Sequence, residues 1–224
     1  MKLCSYVVRR DTGFAPNPFW GYCTLAACTP NHMGIHLRRG DWIIGTGSVK
    51  SGAKWRLSSH WSKRLCGFYP NAKRGNKLIY ATRVAEVLHF ERYYTDPRFA
   101  TKKPVSSGNW RQRCGDNIYH KDELGAWQQD SQAVYHRDEA MIKKDLKHPY
   151  VFVAEHFYYF GNEAVEIPLA YEELIWRRQG CKCKHDPGIV EGFLGWLQTS
   201  FKPGVYGKPR DNDDLECKGY CSKV

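Results

Sequence analysis

Acidic side chains are nearly missing from the first 75 residues, where Asp11 and Asp41 stand alone against twelve lysines and arginines. The rest of the chain carries 22 basic and 21 acidic side chains, so almost all of the net charge of +11 is N-terminal. Such a basic region favours a polyanion partner, nucleic acid first, with plain solubility as the simpler use of the same charge. Long apolar runs are lacking too. No stretch approaches the ~20 residues of a membrane-spanning helix, and Met1-Lys2-Leu3 leads into a strand pattern without the apolar segment of a secretory signal. A cytoplasmic protein with no membrane partner is expected.

Nine cysteines are present, yet no C-x₂-C pair is among them. The odd count, the chain length and the missing export signal argue against a secreted disulfide framework, so reduced thiols or a metal are expected. Cys181, Cys183 and His185 with Cys217 and Cys221 make the zinc alternative, at spacings unlike the usual knuckle; free thiols in a tail are the plainer reading. Nothing in the sequence calls for a cofactor.

What is there reads as one ordinary domain with decorations: 224 residues, 42% apolar and 25% charged, but unusually aromatic at 14%. Residues 40–48, Gly-Asp-Trp-Ile-Ile-Gly-Thr-Gly-Ser, form a turn feeding a short apolar strand that ends in small hydroxyl residues. That strand end reads either as the floor of a ligand site or as a plain buried strand with a turn at each end.

In chain order, Leu3–Val8 has the β-branched and aromatic character of a first strand. Pro16 and Pro18 stiffen the loop that holds Phe14, Phe19, Trp20 and Tyr22, which presents rings at low entropic cost or caps the core. Residues 49–77 interleave Lys50, Lys54, Arg56, Lys63 and Arg64 with aromatics, a pattern suited to a phosphate backbone with stacking bases. Residues 78–88 and 150–160 read as strands, and 93–99 as a turn. Asp116, Asn117 and His120 offer acid–base or base-edge groups on what is also ordinary turn chemistry. Residues 131–144 read as a short polar helix or turn, and 168–176 and 187–201 as helices. The last places Ile189, Val190, Phe193, Leu194 and Leu197 on one face behind Pro187.

Residues 13–19 (Gly-Phe-Ala-Pro-Asn-Pro-Phe), 23–26 (Cys-Thr-Leu-Ala), 40–48 and 115–119 (Gly-Asp-Asn-Ile-Tyr) together resemble the nucleotide modification-associated domain family, second type, over residues 1–170. A more distant similarity, carried by Leu3–Val8, Trp20-Gly21-Tyr22, residues 37–41 and Val84-Ala85-Glu86-Val87, runs to the PUA-like EVE, ASCH and YTH domains. The chain departs from the EVE pattern in its basic segment 49–77 and in lacking an acidic segment after the first strand. The resemblance implies an α+β protein with a small PUA-like mixed or antiparallel β-barrel and peripheral helices over residues 1–170, followed by a helical, Cys-containing extension, 171–224. It also implies a part in bacterial or phage systems that make, remove or sense modified bases, with DNA favoured over RNA and other proteins of such systems as partners. In that frame Trp20 and Tyr22 correspond to the pocket loop, and Thr46 and Ser48 to polar contacts at a strand end.

The leading expectation is a reader of a flipped-out base, with Asn17, Phe19, Trp20, Tyr22, Trp42, Thr46, Ser48 and Asn117 as base contacts and Lys50, Lys54, Arg56, Lys63 and Arg64 on phosphates. Its rival is an enzyme on the modified base using Asp116 and His120, with Cys23 or His156 nearby. A structural or partner-binding protein is the third reading.

Overall fold

The computed structural model describes residues 1–27, 34–47 and 76–212. The strands are β1 (Leu3–Val8), β2 (Cys23–Leu25), β3 (Trp42–Gly47), β4 (Lys77–Arg83), β5 (Glu86–His89), β6 (Tyr119–Lys121), β7 (Trp127–Gln129), β8 (Tyr150–Ala154), β9 (His156–Tyr159), β10 (Val165–Glu166), β11 (Cys181–Lys182) and β12 (Gly204–Val205). The helices are α1 (Phe90–Thr95), α2 (Trp110–Arg113), α3 (Glu139–Leu146) and α4 (Pro187–Ser200). A large mixed sheet runs β11-β1-β3-β4-β9-β12 with β10 beside β4; β2-β8-β5 form a second sheet and β6-β7 a hairpin. The molecule is mixed α+β, and the described strands close no barrel, so the small barrel implied by the PUA-like similarity is not found among them.

β3 lies at the centre of the large sheet, parallel to β1 and antiparallel to β4, and all six of its residues are buried. Alternation does the sorting. Cys4, Tyr6, Val8 and Ile43 face one apolar cluster, while Leu3, Trp42 and Ile44 face another that α4 covers. Asp186 caps α4 by accepting from the amides of Gly188 and Ile189, and Pro187 takes the first turn. Its buried stripe is Val190, Phe193, Leu194 and Leu197, as the 3-4 spacing indicated, with Ile189 partly buried at its edge.

Two segments that read as single strands are each split between the sheets. Residues 78–88 break at Val84-Ala85 into β4 and β5, and residues 150–160 break at Glu155 into β8 and β9. The breaks face each other, since Arg83 pairs His156 on one side and Glu86 pairs Val153 on the other. Gly40 donates its amide to the Val84 carbonyl and Val84 donates to the Asp41 carbonyl, both at 2.8 Å. These bonds draw the strand out of the first ladder and turn the hairpin into the second sheet. Residues 93–99 fold as the end of α1 and a 3₁₀ turn, Pro97–Lys102, rather than a simple turn, because Phe90 and Tyr93 share one buried face and Asp96 accepts from the Arg98 amide.

The thiol expectation needs correction. Antiparallel pairing of β11 with β1 brings Cys4 and Cys183 to a Cα–Cα separation of 4.2 Å, and the two form a disulfide across 179 residues of sequence. Among the described residues Cys23, Cys114 and Cys181 are thiols outside that disulfide, and no group of His, Cys, Asp or Glu could hold a metal ion. Cys217 and Cys221 lie outside the described residues. No described helix is long and apolar enough to cross a membrane.

Residues past 171 therefore supply an edge strand, a covering helix and a disulfide. Phe193→Ala, which empties a fully buried site under α4, is expected to lower unfolding free energy by about 3–5 kcal/mol in urea titrations. A loss below about 1 kcal/mol would contradict the docking of α4 on the sheet.

Candidate functional site

The Pro-aromatic loop is a tight hairpin. Asn17 and Thr24 close it with a reciprocal pair of backbone hydrogen bonds at 2.9 and 3.0 Å. At its tip Trp20 and Gly21 both have positive φ, 57° and 83°, and a bulky residue in that region is held there only by firm surroundings. The Phe19 ring meets Trp20 and Trp110 edge to face, with centroids 5.6 and 5.4 Å apart. Trp110 opens α2, which a reciprocal Asn109–Gln112 capping box sets in place. Beside it Arg111 lays its guanidinium 5.2 Å from the Trp110 ring centroid.

These rings line a cleft of about 300 Å³ whose other wall is Phe157, Val205, Gly207 and Lys208. That wall is tied down from a distance. β12 pairs with β9, Lys208 and Asn162 exchange two hydrogen bonds, and Asp11 donates its amide to Asp211 while accepting from the Arg210 amide. Aromatic walls with two cations, and no carboxylate among the described residues that line the cleft, suit an aromatic anion.

Beneath the hairpin lies a buried polar centre. Lys102, fully buried, donates from Nζ to the Asn17 carbonyl (3.0 Å), Asn17 Oδ1 (2.9 Å) and the Tyr22 carbonyl (3.0 Å). Its three donors thus hold both ends of the hairpin, and Nζ lies 5.8 Å from the Trp20 ring centroid. Asp116 is the neighbouring counter-charge. It accepts from Thr24 Oγ1 at 2.6 Å and from the Tyr93 hydroxyl at 2.8 Å. Gly115 lets this segment pass, because a Cβ there would come 2.6 Å from the Lys102 carbonyl and 2.5 Å from the Pro104 nitrogen.

Burial governs the ionisation of the set. It draws the Lys102 ammonium down to about 8 against the pull of Asp116 and Cys23, and pushes the Cys23 thiol up to about 12. It also raises Asp116, which Lys102, Thr24 and Tyr93 oppose, and raises the Tyr93 phenol.

Of the residues singled out in the sequence, Phe19 and Trp20 line the cleft. Asn17 is fully buried under it, its side chain spent on Lys102, the Phe19 amide and the Cys114 carbonyl. Tyr22 turns inward against Phe99. Asn117 is buried, donating to the Tyr93 and Phe99 carbonyls. Thr46 is fully buried in β3, reaching the Tyr6 carbonyl. Trp42 lies against α4, Tyr158 and His156 and borders a different cavity with Arg83 and Glu191. Cys23 shares the buried centre with Asp116, whereas His120 packs on Tyr94 and His156 on Trp42. Ser48, Lys50, Lys54, Arg56, Lys63 and Arg64 lie outside the described residues. Trp110, Arg111, Lys102 and Lys208 were not singled out. The Asn-Trp-Arg-Gln capping pattern marks the first two; the burial of Lys102 and the place of Lys208 arise only from tertiary contacts.

Fold and cleft together define a mixed α+β protein with one aromatic, cation-rimmed recess backed by a buried Lys–Asp centre. The chain belongs to the nucleotide modification associated domain 2 family, whose family model matches residues 1–215. No curated protein and no solved structure matches it significantly.

Tyr93→Phe removes one of the two side-chain donors to Asp116 and is expected to cost about 1–3 kcal/mol of stability at pH 7. The folded carboxyl titrates above its ordinary value of 3.8, so the folded state holds an extra proton in that window and stability falls as pH rises through it. The penalty of Tyr93→Phe should therefore shrink near pH 4, where Asp116 is more protonated. Equal losses at both pH values in urea titrations would contradict a charged, donor-dependent Asp116.

Proposed function

We propose that this protein binds nucleic acid, DNA in preference to RNA, and recognises a modified base drawn out of the stack into the aromatic cleft, as part of a DNA-modification or phage defence or counter-defence system. The observation that carries this reading is the lining itself: Phe19, Trp20, Trp110 and Phe157 with Arg111 and Lys208, and no acidic side chain among the described lining residues. Family membership supports a role connected with modified nucleotides. In this reading the base stacks on Trp20 and Trp110, the phosphates flanking it meet Arg111 and Lys208, and Lys50, Lys54, Arg56, Lys63 and Arg64 extend the contact along the backbone. Stacking at about 1–3 kcal/mol per base offsets much of an extrusion cost of a few kcal/mol, and a damaged or modified base costs less to extract. The PUA-like comparison contributes the idea of an aromatic base pocket. Here a hairpin braced between two sheets takes the place of a barrel rim. Asn17, Asp116 and Asn117 then act from beneath, holding the hairpin.

The test uses matched oligonucleotides carrying plain, methylated, hydroxymethylated, glucosylated or deazaguanine bases, with the recovered strands digested and weighed by mass spectrometry. Trp20→Ala and Trp110→Ala are each expected to weaken binding of the preferred modified strand by roughly 5- to 150-fold. Lys54→Ala should instead weaken all strands alike and lower the salt slope by about 1. Equal losses on modified and plain DNA would contradict a reader, and a changed base mass would replace it with an enzyme.

A further inference from the structure

Three N–H groups of one ammonium hold the two ends of the hairpin whose tip forms a wall of the cleft. Asn17 is bound through its carbonyl and its side chain, Tyr22 through its carbonyl, all within 3.0 Å. A neutral amine has two N–H groups and a lone pair. It would leave one of these oxygens facing that lone pair inside an apolar enclosure, which is costly. Of the two Asn17 acceptors, Oδ1 also receives the Phe19 amide, so a loss there passes directly to the ring that carries Trp20 and Trp110.

We propose that Lys102 is the positioning residue of the cleft: its ammonium clamps the hairpin in the base-accepting shape, and loss of its proton releases the Phe19–Trp20 wall, so affinity falls as pH rises. For its ligand the proposal rests on the base-binding reading; the release of the hairpin stands without it.

The titratable groups that face Lys102 are Asp116 from the segment after α2 and Cys23 from β2, with Tyr93 from α1 bound to Asp116. Cys23 is pushed up to about 12 and Tyr93 is raised as well, so both stay neutral while Lys102, drawn down to about 8, titrates. Asp116 lies on the inner side, where burial raises its carboxyl and Lys102 opposes that rise. The other cations nearby point elsewhere: Lys103 lies 3.6 Å over the Tyr94 ring and Arg111 lies on Trp110. The unfolded chain keeps its lysine near 10.5. Between about 8 and 10.5 it therefore holds more protons than the folded state, and this group's contribution to stability rises with pH. Release of the hairpin and global unfolding thus run in opposite directions.

The experiment follows Trp20 emission from pH 7 to pH 9, isolated by difference against Trp20→Phe, alongside affinity for a hydroxymethylcytosine oligonucleotide. The wild-type signal is expected to change with a midpoint near 8, and affinity at pH 9 to fall about tenfold below that at pH 7, following the protonated fraction. Lys102→Arg, which keeps its charge, should remove the transition from this range and hold affinity constant. Lys102→Met should start in the released state at pH 7. The wild-type profile decides alone if neither variant folds. A flat Trp20 signal, or the same transition in Lys102→Met, overturns the proposal. Binding that ignores pH overturns the clamp and leaves the base-binding reading standing; a Trp20 transition without oligonucleotide binding sustains the clamp and overturns that reading.

Discussion

An ammonium sealed from water must find an acceptor for each of its protons and a counter-charge nearby, and the cleft side of this molecule is built around that requirement for Lys102. Asn17 and Tyr22 supply acceptors from the ends of one hairpin, which fixes the hairpin. Asp116 is the neighbouring acid that holds Lys102 up against burial, with Thr24 and Tyr93 as its donors. The Gly-Asp-Asn segment is pressed against the Lys102 backbone, where the Asn117 amide donates to the Lys102 carbonyl. The hairpin, α1, Lys102 and the Gly-Asp-Asn segment thus pack around one buried polar centre. An aromatic tip perched on such a centre has little freedom to collapse, which keeps a recess open.

The sheets put that recess where it is. The paired breaks at Val84-Ala85 and Glu155 carry one antiparallel ladder from the large sheet into the small one. In consequence β2 and its hairpin stand beside β9. β12 then lies parallel to β9 and brings Val205 and Lys208 to the far wall, while Asp11 holds the chain that follows. The residues at 204–208 serve the cleft as directly as those of the hairpin.

Periodicity made part of this legible. β1 and the buried stripe of α4 could be read because alternation and 3-4 spacing are local patterns that packing preserved. The strand at 42–47 was also legible as a strand, but its role was not. Glycine at 45 reads as open backbone, whereas Tyr80 packs across it and donates its hydroxyl to Tyr6. The corners at Val84 and Glu155 were hidden, since the bonds that bend the chain come from Gly40 and Asp41. The aromatic loop was found by composition, yet which rings lined the cleft was not, because Tyr22 packs against Phe99 while Phe19 packs against Trp20 and Trp110. Lys102 carries no local sign of burial at all, and the Cys4–Cys183 bond depends on two strands 179 residues apart finding each other.

The most direct test of the central claim uses the indole N–H resonances of the eight tryptophans as reporters during titration with an oligonucleotide carrying a modified base. Trp20 and Trp110 line the recess; Trp42 is packed beneath α4, and Trp127 lies against Phe90. The account requires the Trp20 and Trp110 signals to move in a saturable way while those of Trp42 and Trp127 hold still. Saturable movement of Trp42 with Trp20 unmoved would place the base at the Gly-Asp strand and contradict the account.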